Sequence, residues 1–191
     1  QQPAYVQTFL LQTSILDRLT GPLCDAVIET PNSELDSANS AQHPRPAAVL
    51  GCKSQETLEM LERGNLFIVP LDDERKWYRY HRLFADLLQK RLGDTYPELK
   101  PVLHRRASEW YQQNGLIAKA IDHALAAGNL EQAAQLIERI AEATLMRSEI
   151  ATLAKWIEAL PESLVRARPS LSLYYAWVQL FEGSPLESVE A

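Results

Sequence analysis

Residues 65–92 read NLFIVPLDDERKWYRYHRLFADLLQKRL (Asn65–Leu92), and the stretch changes its periodicity at a single histidine. Leu66–Leu71 is apolar and rich in strand formers, Asp72-Asp73-Glu74-Arg75-Lys76 is a charged turn, and Trp77–Tyr80 returns as an aromatic strand. From Arg82 the apolar residues fall at Leu83, Phe84, Leu87, Leu88 and Leu92, the spacing of a helix face. His81 therefore stands where a strand hands over to a helix N-terminus. Unpaired backbone N–H groups and the helix dipole favour an anion at such a place.

Upstream, Thr8–Leu19 carries Phe9, Leu10, Ile15, Leu16 and Leu19, consistent with one amphipathic helix. Gly21-Pro22 breaks it, and a second helix is expected over Leu23–Glu29. Residues 30–47, TPNSELDSANSAQHPRPA, hold three prolines and many small polar residues, the composition of a flexible surface loop within an insert at about 30–52. A third helix is expected from Ser54 as N-cap, with Glu56 in its first turn, to Gly64-Asn65. Three helices followed by a β-ribbon give the winged-helix order, assigned to residues 1–94.

From residue 95 to 191 only helical patterns follow. Asn114-Gly115, Gly128 and Pro161 separate them, and Asn129 with Gln132 reads as a capping box. Small residues at crossing points and Gly-polar turns suggest an α-solenoid of the tetratricopeptide type. The expected fold is mainly α: a winged helix with a small β-hairpin, then a helical array.

Hydrophobic content of 46% and charged content of 23% are ordinary for a globular chain. A net charge of −6 argues against a nucleic-acid clamp, which needs surplus Lys and Arg. Residues 71–115 reverse the sign, with nine Lys/Arg against seven Asp/Glu. The third helix reads QETLEMLER, and its three glutamates would be repelled by phosphates, against direct DNA readout by this wing. No apolar run approaches membrane-spanning length. Cys24, His43 and Cys52 have no metal-ligand spacing and read as ordinary thiols and a solvated histidine, so no metal site is expected. His104 with Arg105 and Arg106 reads as a solvated basic helix face. Glu158 and Glu162 show no sign of a shared pocket, and no catalytic constellation stands out. The first residue is not Met and the last lie inside an apparent helical unit, so a longer parent protein is expected.

The stretches FLLQTSILDRLTGPLCDAV (Phe9–Val27), LEMLERGNLFIVPLDDERKWYRYHRLFADLLQKRL (Leu58–Leu92), HRRASEWYQQNGLIAKAIDHALAAGNLEQAAQLIE (His104–Glu138) and WIEALPESLVRARPSLSLYYAWVQLFEG (Trp156–Gly183) resemble the middle of the bacterial regulators of the MalT class. These belong to the signal-transduction ATPases with numerous domains. The resemblance implies an upstream P-loop ATPase domain using ATP or ADP with Mg, downstream inducer-sensing repeats, a C-terminal LuxR-type domain that reads promoter DNA, and a cytoplasmic parent able to self-assemble. The chain itself has no GxxxxGK[ST] loop. In the wider ATPase family a winged-helix histidine in a Met-His-Asp motif contacts the β-phosphate of ADP. His81 matches that histidine by resemblance, although Tyr80 replaces the Met and Arg82 the Asp. The competing reading of His81 is a helix cap or a ring packed beside Trp77 and Tyr80. The competing reading of the whole chain is a protein-interaction scaffold of kinase-linked relatives.

Overall fold

The computed structural model describes residues 3–28 and 54–182; the expected flexible insert, with His43 and Cys52, lies outside them. The chain divides into two compact units, Gln1–Ala107 and Ser108–Ala191. In the first, α1 (Ala4–Thr13), α2 (Gly21–Ile28) and α3 (Ser54–Arg63) precede a ribbon of β1 (Ile68–Pro70) and β2 (Tyr78–Tyr80), which leads into α4 (Arg82–Thr95). This is the winged-helix order. Helix α5 (Leu99–Gln113) follows.

The helix expected over 8–19 ends instead at Thr13. There Thr13 Oγ1 donates to the Phe9 carbonyl and Ser14 Oγ to the Leu11 carbonyl, each at 2.7 Å, so side chains take over carbonyls at the helix end. Ile15, Leu16 and Leu19 are buried as predicted, but from a turn. Leu19 pairs with the ribbon: its N–H donates to the Tyr78 carbonyl at 2.7 Å, and the Tyr78 N–H donates back at 2.8 Å. Strand β2 is thus central, flanked by β1 and by Leu19.

Helices α2 and α3 lie so close that a Cβ on Gly21 would stand 2.9 Å from Gln55 Cβ and 3.1 Å from its backbone N, leaving no room for a side chain. Ser54 is the first helical residue rather than the cap, and Asp25 Oδ1 of α2 accepts from its N–H at 3.1 Å. The acceptor at that helix end is supplied from across the fold. At the other end Asn65 adopts φ 51° while the Leu66 N–H reaches the Leu61 carbonyl at 2.9 Å, the αL stop expected from Gly64-Asn65.

The ribbon is antiparallel, with Ile68 opposite Tyr80, Val69 opposite Arg79 and Pro70 opposite Tyr78. The flanking bonds His81 N–H to Phe67 carbonyl and Leu71 N–H to Trp77 carbonyl put Pro70 in a non-hydrogen-bonded pair. Its missing N–H therefore faces the open edge and blunts it against further strand addition. In the turn, Asp72 Oδ1 accepts from the N–H groups of Lys76 and Trp77 at 2.9 and 3.2 Å.

Tyr78 and Tyr80 point inward. The Tyr80 hydroxyl meets Thr13 Oγ1 at 2.7 Å, and burial pushes both the Tyr80 phenol and the Cys24 thiol well above their ordinary 10.0 and 9.0. Both raised groups keep their protons when folded and lose them when unfolded. Their contribution is complete below those ordinary values and is lost as pH rises above them. Unfolding free energy should fall above about pH 9–10 by up to about 1.4 kcal/mol per pH unit for each group. Urea titrations at pH 8 and 10.5 check this, and Tyr80→Phe should flatten the slope.

In the second unit α6 (Ile117–Ala126), α7 (Leu130–Met146), α8 (Ile150–Glu158), the short α9 (Glu162–Arg166) and α10 (Pro169–Glu182) form a helical array. Gly128 at φ 73° closes α6, and Asn129 Oδ1 caps α7 by accepting from the Gln132 N–H at 3.4 Å. The return half of the expected box differs: Gln132 Oε1 accepts from the Asn129 side-chain amide at 2.8 Å, because the Asn129 N–H already bonds to the Ala124 carbonyl. Ala120, Ile121, Ala133, Ala134, Ile137, Leu153, Trp156, Ile157 and Leu171 form the core. Arg168, just before α10, pairs with Glu131 and with Glu138 (2.7 Å) of α7. Helix α10 buries Leu171 and Val178, whereas Leu173 and Trp177 are exposed.

Candidate functional site

The passage from β2 into α4 occurs without a loop. Tyr80 ends the strand, His81 has φ −59° and ψ 134°, and Arg82 begins the helix. The His81 N–H donates to the Phe67 carbonyl at 2.7 Å, and its carbonyl accepts from the N–H groups of Phe84 (2.9 Å) and Ala85 (3.0 Å). Its backbone is therefore fixed on both sides. The imidazole is exposed and makes no capping hydrogen bond, which removes the capping alternative.

His81 lines a shallow depression of about 160 Å³ with Val69, Arg79, Tyr80 and Arg82. Alternation along β2 puts Tyr78 and Tyr80 inward and Arg79 outward. Two guanidinium groups and an imidazole thus border the start of α4, whose first turn holds no acidic residue. Positive side chains, the helix dipole and the free N–H groups of a first turn favour the same kind of ligand, an anion such as phosphate. Sequence reading singled out His81 alone: Arg82 entered it only as a departure from the Met-His-Asp motif, and Arg79 was missed, although the two-residue period of the strand was its signal.

The apolar face read on α4 is split. Leu88 and Leu92 are buried, while Leu83 is 75% and Leu87 61% exposed. Phe84 is half-buried, its ring centroid 4.9 Å from that of Phe67 and 5.9 Å from that of Tyr80. Gln89 Nε2 donates to the Ser14 carbonyl at 2.8 Å and ties α4 to the turn after α1.

Other candidates carry less. A larger depression of about 470 Å³ lies between α3 and the wing, lined by Gln55, Glu59, Glu62, Arg63, Glu74, Arg75 and Lys76. Its charges pair among themselves: Arg63 with Glu59 at 3.1 Å, Arg75 with Glu62 at 3.3 Å, Lys76 with Glu74 at 2.5 Å. That self-neutralised, glutamate-rich face is a poor match to a phosphate backbone. Cys24 is buried with its thiol held protonated, which suits neither a nucleophile nor a metal ligand. Among the described residues no group of three His, Cys, Asp or Glu could hold a metal ion, and no helix is long and apolar enough to cross a membrane.

One histidine stands differently from expectation. His104 is buried rather than solvated, with Arg106 Nη1 donating to the Val27 carbonyl at 3.1 Å. His123 is buried and stacked on Tyr111 at 5.2 Å. Glu158 is exposed, and Glu162 pairs with Arg166 at 2.5 Å.

Residues 1–100 match the model of the MalT winged helix domain. The chain belongs to that family. The three helices, the blunted ribbon and the His81 junction are thus parts of a MalT winged helix. The whole chain is also similar to the serine/threonine-protein kinase PknK of Mycobacterium tuberculosis, 31% identical over 186 residues, which are 97% of this chain and 15% of that protein. The HTH-type transcriptional regulator MalT of Yersinia enterocolitica is 39% identical over 124 residues, 65% of this chain and 14% of that protein. The same regulator from Yersinia pestis is 38% identical over the same length. The chain therefore spans about a seventh of the length of these relatives.

Proposed function

We propose that this chain is a regulatory segment of a larger ATP-dependent transcriptional regulator. In this reading a winged helix over about 1–94 couples an upstream nucleotide-binding switch to a helical arm over 95–191. Downstream inducer-sensing repeats and a LuxR-type DNA-binding domain complete the parent, which is cytoplasmic. The segment relays and does not catalyse. In the resting state the winged helix folds onto the nucleotide module with His81 against the β-phosphate of ADP; nucleotide exchange and inducer release it, a shift between two packings. ATP or ADP and its Mg belong to the upstream module, and this chain contributes only phosphate contacts.

The single observation that carries this reading is the exposed, uncapped His81 beside Arg79 and Arg82 at the start of α4. These groups suit a diphosphate: they are cationic or N–H donors, and the three residues line one depression. In the parent protein His81→Ala should weaken ADP binding on the order of tenfold, measured by calorimetry. Unchanged affinity would remove His81 from the switch.

A second reading, the interaction scaffold of a kinase-linked signalling ATPase, is favoured by the 97% coverage against PknK. A kinase domain upstream in the parent reading frame supports it, and a LuxR-type domain downstream supports the first. Both readings keep the same junction.

A further inference from the structure

We infer that Phe67 is a positioning residue that sets where His81 presents its imidazole, a role that rests on the phosphate reading above for its functional meaning. Phe67 lies just before β1 in the left-handed region, with φ 58°. Asparagine visits that region readily, as Asn65 does two residues earlier; a bulky aromatic there is an outlier held against its own steric preference. Burial does not compensate for it, because the side chain is 58% exposed. Glycine would fit the backbone with less strain, so the ring must matter for something glycine lacks.

What the ring touches is the start of α4. It stacks on Phe84 at 4.9 Å, and Phe84 donates its N–H to the His81 carbonyl at 2.9 Å. The Phe67 carbonyl, aimed by the left-handed turn, accepts the His81 N–H at 2.7 Å. The three residues close a loop of contacts: Phe67 carbonyl to His81, His81 carbonyl to Phe84, Phe84 ring to Phe67 ring. His81 is the one member whose side chain is free of that loop and faces the depression shared with Arg79 and Arg82. Without the ring contact, the junction of ribbon and helix would rest on the backbone hydrogen bonds of His81 alone.

Amide hydrogen exchange by NMR on the 191-residue chain tests the positioning directly. The reference is the Tyr78 amide, bonded to Leu19 on the opposite side of β2. Phe67→Ala should speed exchange at His81 on the order of tenfold relative to Tyr78, and Phe67→Tyr, which keeps a stackable ring, should restore it. Equal acceleration at both amides, or none at His81, would overturn the inference, since a merely structural loss moves the unit together. Should Phe67→Ala not fold, Phe67→Leu removes the ring while keeping an apolar side chain, with the same reading of outcomes.

ADP affinity of the parent protein separates this inference from the phosphate reading. If both hold, Phe67→Ala weakens ADP, and adding it to His81→Ala costs nothing further, because one acts through the other. Loss with His81→Ala but not with Phe67→Ala sinks the positioning role. No loss with His81→Ala sinks the phosphate reading, and the exchange result still decides the positioning.

Discussion

Truncating Tyr78 to alanine is expected to lower the unfolding free energy of the winged-helix unit by about 3–5 kcal/mol, the range for deleting a buried aromatic side chain. Tyr78 is fully buried in β2, between the isolated Leu19 bridge and β1. Alanine leaves a cavity that neither neighbour can fill without breaking a strand pair. A small domain holds only about 5–15 kcal/mol in total, so the loss should be visible as a collapsed urea midpoint. Tyr78→Phe keeps the ring and loses only the 3.4 Å hydroxyl contact with Glu62, and it should stay within about 1.5 kcal/mol of the parent. If alanine cost no more than phenylalanine, Tyr78 would not be the centre of this core.

The second large effect lies in the helical array. Trp156 of α8 is buried, and its indole Nε1 donates to Asp122 Oδ1 of α6 at 3.0 Å. Trp156→Ala removes the largest side chain of that core and also strips the half-buried Asp122 of a donor. About 3–5 kcal/mol should be lost from the second unit, again by urea unfolding. Trp156→Phe keeps most of the packing, and its smaller loss would separate the ring from the hydrogen bond. Comparable losses for both variants would mean that the polar contact, not the packing, dominates.

The junction shows how much was legible in the residues. The change from a two-residue to a helical period at His81 placed the strand, the histidine and the start of α4 correctly, because side-chain periodicity reports directly on which face meets a core. The same logic failed on the rest of α4. Leu83 and Leu87 share the helix spacing of Leu88 and Leu92, yet they stand exposed. Periodicity says which residues share a face, and only the fold says whether anything covers it. Arg79 was missed because a charge on a short strand looks like ordinary solvated surface until a neighbouring turn places Arg82 beside it. Phe67 was missed because nothing in an apolar run announces a left-handed backbone.

Helix ends followed a similar division. Asn65, Gly128 and Asn129 stop or start helices through their own conformational and hydrogen-bonding chemistry, so local sequence located them. Thr13 ends α1, and its hydroxyl is shared with Tyr80, 67 positions away. Asp25 accepts from the first N–H of α3 across a segment of many residues. Those partners are adjacent only after folding. The burial of His104, read as part of a solvated helix face, has the same origin.

By itself the sequence determined the order of elements, the mainly helical class, the family and the histidine at the ribbon–helix junction, since each depends on short-range pattern. The tertiary structure alone decided that β2 is central through Leu19, that Arg79 and Arg82 border the same depression as His81, and that Phe67 is held left-handed against Phe84. Those facts rest on contacts between distant or oppositely patterned residues, whose free energies exist only once the chain has closed upon itself.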